Sequence, residues 1–362
     1  MFLLFSILSL LFPQPEATIV FAGDAMQHQR QLDAAQAASS QRGVYDYTAC
    51  FADIAPWVSA ADYAVVNLET TLGGRNYTGY PCFTTPDSYA TALRDAGFDL
   101  FLNANNHTLD RGADGLRRTL TVLDSLGVDH TGTYVNATAR NGQVPLVKDI
   151  NGFRVAFLNY TFSTNGIPAR DGVVVDMIDK QRIAADIAAA RQAGAELVTV
   201  IPHWGTEYRL LPDSWQRSMA DWLLTQDVDL IIGGHPHVIQ PMKVVTDPET
   251  GRRRLLVYSL GNFISGMRTT DTRGGAMLSV TLTRDAEGKA RFDCAQYRLV
   301  YVVPPSQKTD NYTVRFIDSD ADITRLPAGV QGTARAFTTN ALRTFNGNNV
   351  SVSRFDADLE NK

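Results

Sequence analysis

The stretch Val228–His237, VDLIIGGHPH, constrains this chain more than any other. The apolar run Leu230-Ile231-Ile232 suits a buried strand, and two glycines end it. Glycine there permits either a close backbone approach or a positive φ. His235 and His237 follow, with Pro236 between them. A turn at the glycine pair can aim both imidazoles at one centre, and neutral imidazole is the commonest protein metal ligand near neutral pH. A surface turn with two incidental histidines would look the same in isolation. The chain holds six histidines, however, and four of them occupy similar strand-end motifs. That clustering favours a metal.

The remaining elements repeat the pattern. Thr18–Phe21 reads as a strand stopping at Gly23-Asp24, and Tyr63–Val66 as a strand ending in Asn67-Leu68-Glu69. A short helix is expected around Ala49–Ala60, then one capped by Asp87 and stopped by Gly97. Strand Phe98–Leu102 runs into Asn105-Asn106-His107, and a helix over Ala113–Leu126 stops at Gly127. Val144–Ile150 and Phe153–Asn159 form a hairpin across Asn151-Gly152, a favoured type I′ pair. After a helix over Asp179–Ala193, strand Glu196–Ile201 delivers His203. Asp213 with Gln216 has the form of a capping box for the next helix. Strands Arg254–Leu260, Ala276–Thr283 and Phe292–Val303 look antiparallel, and a helix starts near Pro327.

Early strand–helix alternation with late hairpins argues for an α/β chain with mixed sheets. Asp24, Asn67, Glu69, Asn106, His107, His203, His235 and His237 all fall just beyond a strand's carboxyl end, the edge where open α/β sheets bind ligands. Five strands aiming polar side chains at one edge describe a site. Its oxygen and imidazole donors, without thiolate, suit zinc, manganese or iron. One carboxylate could bridge two ions ~3.5–4 Å apart, the arrangement used in phosphoryl transfer. His107 need not be a ligand; it could protonate a leaving group or hold developing negative charge. Arg111, Glu207 and Tyr208 are candidate substrate contacts, as is Asn67, although a solvated loop accounts for the first three equally well. Trp204 reads as packing, and His28 and His130 receive no role.

The 362 residues suffice for one large domain or two smaller ones, and a net charge of −5 gives no electrostatic footprint for nucleic acid. The apolar run Met1–Phe12 is too short for a membrane span, which needs ~20 residues, and resembles the core of an export signal. The division expected is an export segment over 1–17, a main domain over 18–305 and a C-terminal appendage over 306–362. Three cysteines make neither a disulfide framework nor a thiolate site. Cys50 and Cys82 either pair in an oxidising compartment or stay free.

The blocks Gly23-Asp24, Asn67-Leu68-Glu69, Asn105-Asn106-His107 with Asp110-Arg111-Gly112, His203-Trp204-Gly205 with Glu207-Tyr208, Gly234-His235-Pro236-His237 and Ser259–Phe263 occur in this order. Together they resemble the CapA family of capsule and poly-γ-glutamate biosynthesis, which is similar to the calcineurin-like metallophosphoesterases. The resemblance runs from about Thr18 to Val303. It implies a four-layer αββα sandwich and one or two divalent ions. It further implies Asp24, Glu69 and His237 around one ion, Glu69, Asn106, His203 and His235 around the other, and His107 as acid or transition-state contact. Two departures stand out: Met26 occupies the place of a usual histidine, and Glu69 that of a bridging aspartate.

The function expected on these grounds is an exported metal-dependent hydrolase or transferase acting on a phosphoester or a γ-glutamyl amide. Its partners would be an anionic polymer or a phosphorylated small molecule, with a capsule-synthesis membrane complex a further candidate. Two rivals remain: a non-catalytic polymer-binding component of capsule assembly, and a periplasmic phosphatase unrelated to capsule.

Overall fold

The computed structural model describes residues 15–355. Two mixed sheets face each other. In the first, the strand Ala17–Ala25 lies parallel to Tyr63–Leu68, which continues through Leu100–Leu102 to Asp129–Thr131. On its other side Ala17–Ala25 pairs antiparallel with Gly274–Arg284, followed by Ala290–Val303 and Thr313–Phe316. In the second sheet Phe153–Thr161, Leu197–His203, Leu230–Ile232 and Arg253–Val257 run parallel, with antiparallel edges at Leu146–Ile150 and Met242–Thr246.

The two-residue period of a strand explains the layering. Ile19, Phe21, Val65 and Leu102 point inward against Phe157, Leu197, Ile232 and Val257 of the facing sheet. The alternate residues Val20, Ala22, Val66 and Phe101 point outward onto helices Gln29–Ala38, Asp87–Asp95 and Gly112–Leu126. Val198, Val200 and Ile231 do the same against helices Lys180–Gln192 and Ser214–Leu224. Strands apolar on both faces need cover on both faces. The result is the expected four-layer αββα arrangement.

Local signals mostly appear where the chain chemistry puts them. Asn151 and Gly152 both take positive φ, at 49° and 84°, as the type I′ turn requires. The Asp213–Gln216 capping box forms with both hydrogen bonds. Other expectations needed correction. The first strand extends to Ala25, and the segment after it contains the helix Gln29–Ala38. Around Ala49–Ala60 only Ala55–Val58 is helical. Asp87 is the first helical residue behind the cap Pro86, where its carboxylate meets the positive helix end. Arg253–Val257 pairs parallel on one side and antiparallel on the other, with a strand, Met242–Thr246, that periodicity did not reveal. Cys50 is buried and free, and Cys82 and Cys294 are exposed and free, so the Cys50–Cys82 bridge does not form.

The export segment expected over 1–17 lies outside the described residues through position 14, and Ala17 opens the first strand. Within 306–355, the strand Thr313–Phe316 extends the first sheet. The helix Ala328–Phe345 sinks Phe337 and Phe345 into the inter-sheet core.

Candidate metal centre

The parallel strands of both sheets end on the same side, and their carboxyl ends meet there. Asp24 lies near the end of Ala17–Ala25, Glu69 follows Tyr63–Leu68, and His203 closes Leu197–His203. Asn106 and His107 come from the turn after Leu100–Leu102, and His235 and His237 from the turn after Leu230–Ile232. None of these seven residues is more than 3 % exposed. The two sheets are clamped at this edge by Asn159, which accepts from the Ala104 amide at 2.7 Å and donates to the Ile201 carbonyl at 3.0 Å.

The Gly233-Gly234 pair serves close approach, not positive φ. A Cβ on Gly233 would lie 2.2 Å from the Tyr258 carbonyl oxygen, and one on Gly234 would lie 2.9 Å from Asp24 Oδ1. The turn itself is made by the histidines, with φ of 98° at His235 and 58° at His237. Such values are costly for residues with a Cβ and cluster at functional sites. The His235 amide is held by Asp24 Oδ2 at 3.2 Å.

The donor atoms then fall into two overlapping trios, Asp24 with Glu69 and His203, and Glu69 with His235 and His237, each with its atoms within 4.8 Å of one another. Glu69 is common to both. Its Oε1 lies 3.6 Å from His203 Nε2 and 3.8 Å from His237 Nε2. His203 Nε2 is also 2.7 Å from Asn106 Oδ1 and 3.2 Å from His235 Nδ1. The sets implied by resemblance pair Asp24 with His237 and His203 with His235, and those contacts are present too, at 3.3 Å and 3.2 Å; Glu69 is shared in either grouping. Met26, in the place of the usual histidine, is buried and apolar, with its carbonyl accepting from Tyr89 and Gln31.

Charge balance tests whether these residues suit a cation. Asp24 and Glu69 are both fully buried, and an unpaired carboxylate in such a place costs several kcal/mol. Among the described residues their side-chain ion-pair partners are His203 and His237, with no lysine or arginine. Among the described residues Glu69 Oε1 has no hydrogen-bond partner. An oxygen-and-imidazole set with surplus negative charge and an orphaned carboxylate oxygen fits a divalent ion.

The titration behaviour agrees. Burial would push the Asp24 carboxyl up, but its hydrogen bond with His237 and the charges of His203 and His237 outweigh this and hold it at about 2. Burial would push His237 down, but Glu69 and Asp24 together raise it to about 9. His235, buried and facing His203 and His237, is held well below the usual imidazole range. It therefore presents a neutral ring with a free lone pair, the form that binds metal.

His107 stands beside this cluster. Its Nδ1 lies 2.8 Å from Asp110 Oδ2, and the same oxygen accepts from the Phe83 amide at 2.6 Å. The pair is a histidine oriented by a fixed carboxylate, the form a general acid takes. Asn67 lies inside the cluster, donating to Asp24 Oδ1 at 2.8 Å and accepting from Asn105 at 3.2 Å. Arg111 instead holds a loop, donating to the Thr78 hydroxyl and, at 3.0 Å, to the Cys82 carbonyl. Tyr208 is half exposed with its ring 6.1 Å from His237, and the charge of neighbouring Glu207 is felt by that histidine.

Three contributors were not singled out by sequence reasoning. Asp110 and Asn262, whose Oδ1 is 3.2 Å from His237 Nδ1, both sit inside the quoted motif blocks, so the signal was present. Phe162, 4.6 Å ring to ring from His235, follows the strand Phe153–Thr161, which carried no motif.

Comparison with known proteins gives the family. The family model described as "Bacterial capsule synthesis protein PGA_cap" matches residues 18–267. The chain is 26% identical over 296 residues to "PGA biosynthesis protein CapA" of Bacillus subtilis (strain 168), covering 80% of this chain and 74% of that protein. It is 27% identical over 245 residues to "Capsule biosynthesis protein CapA" of Bacillus anthracis, covering 64% of this chain and 57% of that one. Over 220 residues it is 24% identical to a "probable polyglutamine synthesis accessory protein" of Mycobacterium tuberculosis, covering 57% of this chain and 56% of that one. Among solved structures, the Haemophilus influenzae NAD nucleotidase aligns with a TM-score of 0.47 at 14% identity, covering 96% of this chain and 58% of that one. A putative 5′-nucleotidase from Staphylococcus aureus aligns with 0.46 at 13%, covering 89% and 58%. With the family model spanning more than half of its length, this chain belongs to the bacterial capsule synthesis (PGA_cap) family.

Proposed function

We propose that this protein is an exported, divalent-metal-dependent hydrolase or transferase of capsule or poly-γ-glutamate metabolism, acting on a phosphoester or a γ-glutamyl amide. The observation that carries the reading is Glu69, a buried carboxylate common to two donor trios with one oxygen left unpartnered. A bound divalent ion supplies Lewis-acid polarisation of the scissile group and a water acidified enough to attack. The chain's own residues do the rest. Asp24, Glu69, Asn106, His203, His235 and His237 would hold the metal, Asn67 fixes Asp24, and His107, oriented by Asp110, would deliver a proton to the leaving group. Purified protein should carry metal and cleave a phosphodiester or poly-γ-glutamate, and His235→Ala should lose part of the metal and the activity. Equal metal content and activity in the two proteins would remove the reading.

The relatives' names favour a second reading. They speak of biosynthesis and of an accessory protein, not of hydrolysis. A non-catalytic polymer-binding component would bind poly-γ-glutamate after chelation and show no turnover on either substrate.

A further inference from the structure

The mouth of the metal centre is edged by aromatic rings. Tyr80, Phe162 and Tyr208 come from three different loops and are 71 %, 39 % and 54 % exposed. Large apolar rings left in water at one place mark a binding surface. Each lies against a site histidine: Phe162 is 4.6 Å from His235, Tyr208 is 6.1 Å from His237 and Tyr80 is 6.4 Å from His107, centroid to centroid.

The backbone that carries each ring is hydrogen-bonded. The Phe162 amide donates to the His203 carbonyl at 3.0 Å, and the Tyr208 amide to the Pro236 carbonyl at 2.8 Å. Tyr208 keeps a φ of 65° in doing so, a strained value of the kind found at ligand clamps. The loop bearing Tyr80 is closed by paired backbone hydrogen bonds between Thr78 and Thr84 and tied down by Arg111.

Charge at the mouth is mixed, with exposed Glu207 and Arg209 on either side of Tyr208. Arg111 is committed to Thr78 and Cys82. Glu207 beside Tyr208 adds a carboxylate whose charge reaches His237.

We propose that Tyr80, Phe162 and Tyr208 form an aromatic rim for a phosphoester whose alcohol portion carries a ring, the base of a nucleoside or a pyranose, next to the scissile bond. This rests on the metal-dependent reading above and narrows its substrate class. A ring sandwiched against these side chains gains stacking or CH–π contact, while its phosphoryl group reaches the carboxylate–histidine cluster.

The test uses the full chain loaded with manganese and two non-hydrolysable anions, phenylphosphonate and methylphosphonate, titrated by calorimetry. Phenylphosphonate should bind about tenfold more tightly or better. That margin should shrink in Phe162→Ala and in the Tyr80→Ala, Tyr208→Ala pair, and return in Tyr80→Phe, Tyr208→Phe. Equal binding of the two phosphonates would overturn the rim while leaving the metal reading in place. If neither binds although manganese does, both ideas fall. Competition against phenylphosphonate then separates the sources: adenosine monophosphate winning points to a nucleobase, glucose 1-phosphate to a pyranose. Neither competing better than inorganic phosphate overturns the proposal.

Discussion

Asp24 Oδ2 lies 3.3 Å from His237 Nδ1 in a fully buried contact between the two sheets. The carboxyl is held at about 2 and the imidazole at about 9, so in metal-free protein the pair is ionised across the neutral range. His237, raised from 6.5, contributes stability that is complete below 6.5 and is lost as pH climbs through about 9. Asp24, lowered from 3.8, contributes stability present above 3.8 and lost as pH falls through about 2. Metal reverses the upper limb, because it replaces the proton on His237. Thermal melts should therefore show metal-free protein weakening between pH 6.5 and 9 while the gain from added metal widens. Parallel curves would mean that His237 enters the site already neutral.

Glu69 and His235 should differ in what their loss removes. Glu69→Gln preserves shape and deletes the charge common to both trios, whereas His235 belongs to one of them. By elemental analysis, protein holding two ions should fall to one in His235→Ala and to none in Glu69→Gln. Identical losses would contradict a shared carboxylate.

Asp110 touches His107 and the Phe83 amide but none of the candidate metal-binding trios. Asp110→Asn should leave metal content unchanged and lower kcat by about 10–100-fold, the usual effect of removing a carboxylate that orients a functional histidine. A normal kcat in this variant would assign His107 a different part.

Two glycines give opposite forecasts for the same substitution. Gly233→Ala forces a Cβ to within 2.2 Å of the Tyr258 carbonyl oxygen, a backbone atom with little room to move, and should destabilise by about 1–3 kcal/mol in urea unfolding. Gly142, in the helix Ala137–Gln143, has nothing within 4 Å of a built Cβ. Gly142→Ala should stabilise by about 0.5–1 kcal/mol.

Thiol labelling separates the cysteines. Cys82 and Cys294 are exposed and should react in native protein, whereas Cys50 is buried, with its thiol pushed up by burial, and should react after unfolding. A single reactive thiol under native conditions would revive the Cys50–Cys82 bridge.

Sequence alone determined most of the elements and the kinds of donor. Two-residue and helical periodicities, the Asn151-Gly152 turn and the Asp213–Gln216 cap are written in neighbouring residues, because local sterics and hydrogen bonding suffice to set them. The residue types at five strand ends likewise announced oxygen and imidazole chemistry. Tertiary structure decided what lies far apart along the chain. It brought Asn106 within 2.7 Å of His203 across 97 positions and Asp24 to the His235 amide across 211. It gathered buried carboxylates and imidazoles around Glu69, left Cys50 unpaired, bent the backbone at His235 and His237 instead of at the glycines, and stood Phe162 over His235. These outcomes depend on how two sheets pack and which strand ends meet at their common edge, and no window of adjacent residues carries that information.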